Sequence, residues 1–105
     1  MEVIIQSLGF KAGEALETYA REKLEKLSPK DHIVRANMIL FAGPGKANPG
    51  SYCEIRLEVP GNDLFVKENS DNFEQSIDAA VHRLQEQIRK NKEKQVDQWQ
   101  GRPNS

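Results

Sequence analysis

Side chains able to do chemistry are few in this 105-residue chain: one cysteine, two histidines, and 16 acids against 15 bases. Cys53 lies in the stretch Ser51–Val59, where Cys53, Ile55, Leu57 and Val59 alternate with Tyr52, Glu54, Arg56 and Glu58. A lone cysteine in the inward set of a strand is a small core residue rather than a nucleophile. His32 falls in a loop and His82 in a helical stretch, neither beside the cysteine nor beside a carboxylate pair. One cysteine and two histidines at this separation do not make a zinc site. Gly43-Pro44-Gly45 is not a phosphate loop, because no Gly-Lys-Ser/Thr and no helix start follow it. Glu54, Glu58 and Glu68 alternate with core positions and read as strand solubilisers that protect a sheet edge. The expectation is a non-enzyme with no metal, no cofactor and no small-molecule substrate.

What remains is cationic. Residues 54–78 hold seven acids and two bases, whereas residues 82–94 hold two acids and five bases. The second stretch and the end of the first fall on one predicted helix, with Phe73, Ile77, Val81, Leu84 and Ile88 as its buried stripe. Acids at the start and bases at the end match the helix dipole, and that alone accounts for the pattern. Angular position adds more. At about 100° per residue, Arg83, Gln87, Lys90 and Lys94 form a column beside the apolar stripe, while Arg89 and Lys92 lie on the opposite flank. Lys23 and Lys26 occupy the first helix. Lysine and arginine columns of this kind contact phosphates without reading bases. Which flank faces the first helix is left open by the pattern.

These residues need a scaffold, and the hydrophobic periodicity supplies one. Glu2–Leu8 is a β-branched strand with Val3 and Ile5 on one face and Ile4 and Leu8 on the other. Residues 13–27 form a poorly capped helix with Leu16, Ala20, Leu24 and Leu27 inward, closed by Ser28-Pro29. Residues 33–42 are a second, central strand. The connection from Gly43 to Gly50, with three glycines and two prolines, is a mobile hairpin loop. The third strand covers 51–59, a turn covers Pro60 to Asp63, and a short fourth strand covers 64–67. Ser70 or Asp71 is the expected cap of the last helix, with Asp71 and Glu74 as a capping box. The fold class is therefore α+β: a four-stranded mixed sheet with two helices on one face, in the order β-α-β-β-β-α. Residues 1–96 make one domain, and 97–105 read as a disordered tail.

With 30% charged and 37% hydrophobic residues, the chain has room for one modest core. No apolar run approaches a bilayer span and no signal peptide is visible, so the expected location is the cytoplasm. The single cysteine agrees with a reducing compartment.

From its first strand to about Lys94 the chain resembles the ribosome hibernation-promoting factor and protein Y family, also called the ribosome-associated inhibitor or sigma-modulation family. The likeness is carried by Glu14-Ala15-Leu16 with Lys23, Lys26 and Leu27. It continues in Asp71-Asn72-Phe73-Glu74-Gln75-Ser76-Ile77-Asp78 and in Leu84, Gln87, Lys90, Lys92 and Lys94. The resemblance implies the same β-α-β-β-β-α order and a translation inhibitor that keeps ribosomes idle under stress. It implies binding to the small ribosomal subunit, over the decoding region and mRNA channel, through basic residues on two helices. By resemblance the RNA-binding residues are Lys23, Lys26, Arg83, Gln87, Lys90, Lys92 and Lys94. Two departures stand out: a Gly/Pro loop that leaves only Lys46 where the family is charged, and Asn91 where short members often carry histidine. The chain ends soon after its last helix and reads as a short form, monomeric off the ribosome.

Two further readings stay open. A protein-interaction regulator modulating a transcription factor would use the acidic segment 54–78 or the exposed sheet face. A generic double-stranded RNA binder would take naked duplexes as readily as ribosomes.

Overall fold

The computed structural model describes residues 1–27, 32–43 and 50–104, with side chains described as far as Lys90. The Ser28-Pro29 stop, Lys46 and most of the Gly43 to Gly50 loop therefore lie outside the described residues. Six elements follow in chain order: β1 Glu2–Leu8, α1 Glu14–Glu25, β2 Arg35–Ala42, β3 Ser51–Glu58, β4 Leu64–Ser70 and α2 Phe73–Asn104. The sheet order is β1-β2-β3-β4, with β1 and β2 parallel and the other neighbours antiparallel. Four strands, two helices and the expected element order are all present.

Alternation decides which sheet face is covered. Ala36, Met38 and Leu40 of β2 and Cys53, Ile55 and Leu57 of β3 are fully buried, and Val66 of β4 nearly so. Onto them pack Ala20 and Leu24 of α1 and Ile77, Ala80, Val81 and Leu84 of α2. Leu16, Phe73 and Ile88 are partly buried at the margins of the core. The other face stays open, with Leu8 and Phe65 about half exposed.

The helix starts differ in quality. Gly13 precedes α1 in an extended conformation with no side-chain cap, and its carbonyl accepts the Glu17 N–H at 3.0 Å. The last turn tightens, as Leu27 N–H reaches the Leu24 carbonyl at 3.0 Å. For α2 the cap lies one or two residues later than expected. Asn72 Oδ1, rather than Ser70 or Asp71, accepts the Gln75 N–H at 2.9 Å. Gln75 in turn accepts the Ser70 hydroxyl at 2.7 Å, which ties the end of β4 to the first turn of the helix. The reason is that β4 runs on to Ser70, three residues past Lys67. Glu68, Asn69 and Ser70 pair with Cys53, Tyr52 and Ser51. Polar residues with poor strand propensity are recruited there because β3 offers unpaired backbone groups opposite them.

Both helices begin at the same end of the sheet. Phe10, just before α1, stacks on Phe73, the first residue of α2, with ring centroids 4.8 Å apart. From there α1 runs 12 residues and α2 runs 32, or about 18 and 48 Å at 1.5 Å per residue. α2 therefore outruns its partner, and among the described side chains Ile88 is the last of α2 packed against the core. Helical backbone includes 97–104, a stretch to which the sequence gives no apolar stripe. Among the described residues no helix is long and apolar enough to cross a membrane.

Candidate nucleic-acid interface

The flank left open by periodicity is settled by two ion pairs. Asp78 of α2 turns toward α1, where it accepts the Tyr19 hydroxyl at 2.7 Å and lies 3.4 Å from Lys23 Nζ. Arg83 turns the other way and pairs with Glu68 of β4, an edge strand, at 2.6 Å. Five residues separate the two, about 140° around the helix, so one flank meets α1 and the other meets the sheet edge. Arg83, Gln87 and Lys90 share the edge flank.

This arrangement divides the predicted residues. Arg83 and Lys90 are exposed and Gln87 is half-buried along one side of α2. Lys23 of α1 and Lys26, the C-cap of that helix, lie across the width of α2, so one flat ligand face does not collect all five. Lys23 is also the most committed of them, since its ammonium sits 5.3 Å from the Tyr19 ring centre as well as beside Asp78. Among the described residues Lys26 and Lys90 make no ion pair. Lys92 and Lys94 lie on the α2 backbone, with side chains outside the described residues.

Arg83 is neutralised in part by Glu68. One guanidinium nitrogen, Nη1, meets that carboxylate, which leaves donors on Nε and Nη2 for a further acceptor. Exposed pairs of this kind contribute little to stability, and either cation can exchange its carboxylate for a phosphate. The acidic partners Glu68 and Asp78 were not among the predicted site residues. Helical spacing could have found Asp78, because it lies beside the apolar stripe. Glu68 had no such signal, since its position depends on the length of β4.

The cysteine chemistry is absent. Cys53 is fully buried, and burial together with the nearby Glu54 and Glu68 charges pushes its thiol up to about 12. A protonated thiol without solvent access is no nucleophile at neutral pH. Among the described residues no group of three His, Cys, Asp or Glu side chains is placed to hold a metal ion. His82 is an exposed neighbour of Glu86 at 3.9 Å, one turn away. Tyr19 is pushed up to about 12, first by its hydrogen bond to Asp78 and then by burial and the Asp78 and Glu74 charges. It is a structural donor between helices.

Two solved structures share the fold. A ribosomal subunit interface protein from Coxiella burnetii superposes with a TM-score of 0.77 at 22% identity, covering 88% of this chain and 98% of that one. The Thermus thermophilus Protein Y N-terminal domain gives 0.72 at 24% identity, covering 86% and 98%. No curated protein sequence matches significantly. The family model described as sigma 54 modulation protein / S30EA ribosomal protein matches residues 3–96. That match spans all four strands, α1 and the packed part of α2, so the chain belongs to the sigma 54 modulation protein / S30EA ribosomal protein family.

Proposed function

We propose that this chain is a non-catalytic, ribosome-associated regulator of translation that works in the cytoplasm. It binds the small ribosomal subunit as a single domain, residues 1–96, with 97–105 appended, and holds ribosomes idle under stress. The observation that carries this reading is the family match over residues 3–96. The names of the structural neighbours, a ribosomal subunit interface protein and Protein Y, point the same way.

Ribosomal RNA is met by the two helices through Lys23, Lys26, Arg83, Gln87, Lys90, Lys92 and Lys94. Within this set the edge flank of α2 leads, because Arg83 and Lys90 are exposed side by side with Gln87 between them. These contacts go to phosphates and fix position rather than reading sequence. The stretch past Asp78 supplies the affinity, since five of its side chains between 82 and 94 are cationic.

The test is a titration of purified small subunits with the labelled protein over a series of salt concentrations. Binding should weaken steeply with salt, as phosphate contacts release counterions. The double variant Arg83→Glu/Lys90→Glu should abolish binding while its circular dichroism spectrum stays that of the parent. Undiminished binding by the double variant would move the interface to α1. A second reading, modulation of a transcription factor, is favoured by the family's own description. It requires a defined protein partner that stays bound after ribonuclease treatment.

A further inference from the structure

The face of the sheet opposite the helices is uncovered, and its side chains are not those of an ordinary solvated face. Phe41 of β2 and Tyr52 of β3 are register partners whose rings stack with centroids 5.1 Å apart and planes 7° from parallel. Lys67 of β4 holds its ammonium 5.7 and 5.4 Å from those two ring centres. A second station repeats the chemistry. Phe65 of β4, half exposed, pairs across the ladder with Arg56, whose guanidinium carbon lies 6.0 Å from the ring centre. Tyr52 and Arg56 are four residues apart on β3, about 14 Å along the strand.

Cross-strand packing accounts for the Phe41–Tyr52 pair, but it does not account for an aromatic ring left half exposed at the edge beneath a cation. We propose that this face is a second binding surface, for single-stranded RNA, in which unpaired bases stack on Phe65 and on the Phe41–Tyr52 pair. Arg56 and Lys67 meet the adjoining phosphates. Flat rings on neighbouring strands of an open four-stranded sheet, each with a long cation beside it, suit bases that are free of a duplex. A duplex has no exposed base faces to offer. An apolar protein surface would have to desolvate Arg35, which donates to both Glu2 and Glu58, and the Lys67–Glu54 pair at 3.7 Å.

Charge separates this surface from the helix side. Glu2, Glu54 and Glu58 face Arg35, Arg56 and Lys67 on the open face, three acids against three bases. Stacking supplies most of the affinity, and with only Arg56 and Lys67 meeting phosphates the salt dependence is shallower than at the helix surface. The inference stands apart from ribosome binding by the helices, because it concerns naked RNA and different residues.

The experiment is fluorescence anisotropy of the full chain with a short labelled oligouridylate and with an RNA duplex of equal length. The single strand should bind better than the duplex, with a small salt effect. Phe65→Ala should weaken it about tenfold, as loss of one base–aromatic stack does. Tyr52→Ala should do the same, and Phe65→Trp should retain binding. Phe65 is half exposed on an edge strand, so its removal leaves the core intact, and an unchanged thermal midpoint checks this. The Arg83→Glu/Lys90→Glu protein should keep its affinity for the oligouridylate. No binding by the parent, equal binding by Phe65→Ala, or loss in the helix variant alone would each overturn the proposal. A dimer of the parent that Phe65→Ala dissolves would overturn it too, by giving the face to a second copy.

Discussion

Cys53 and Tyr19 have their titrations pushed in the same direction for different reasons, and each makes a measurable claim. Cys53 is walled in by the core, with its thiol raised to about 12 chiefly by burial. A maleimide should leave it unmodified in the native protein at mildly alkaline pH and label it fully in denaturant. Rapid native labelling would mean that β3 opens more readily than its burial implies. Tyr19 is raised to about 12 because its hydroxyl donates to Asp78. A folded pKa above the ordinary tyrosine value of about 10 favours the folded state fully below that pH. The contribution fades as pH rises from about 10 toward 12. Spectrophotometric titration should show a late phenolate transition that Tyr19→Phe removes. If Tyr19→Phe leaves the alkaline end of the curve unchanged, the interhelical hydrogen bond is not formed in solution.

α2 carries the most structural responsibility, and both its cap and its buried face can be probed. Asn72→Ala removes the acceptor of the Gln75 N–H and should cost about 1 kcal/mol in chemical denaturation. Ile77, fully buried, should cost about 2–5 kcal/mol as alanine, the range for a large buried aliphatic residue. Equal small losses at the two positions would contradict the core assignment. Ile77, Leu84 and the alternating residues of β3 announced themselves in the sequence, because one-sided burial imposes a period of 3.6 or 2. The start of α2 did not. Asp71-Asn72-Phe73-Glu74-Gln75 contains two overlapping capping patterns, and only the extension of β4 to Ser70 selects Asn72. Ser76 was hidden for a related reason. It is a polar residue, fully buried, whose hydroxyl donates to the Ser51 carbonyl. Nothing in its own neighbourhood reveals that acceptor.

Taken whole, the molecule has two unlike surfaces. One is built from the helices, with Arg83, Gln87 and Lys90 along the sheet-edge flank and Lys23 and Lys26 across α2. The other is the open sheet, neutral overall and set with aromatic rings. Periodicity could place the cations on helices, but it could not say which flank met α1, because a single apolar stripe looks the same from either side. The Asp78 and Arg83 partners resolved that. Membership of the S30EA family gives the helix surface its proposed ligand, ribosomal RNA. The most direct test is sedimentation of a lysate containing the tagged protein through a sucrose gradient at low salt. The protein should travel with small subunits and monosomes, and shift to the top of the gradient at high salt or as the Arg83→Glu/Lys90→Glu variant. Parent protein confined to the top fractions at low salt would contradict ribosome binding.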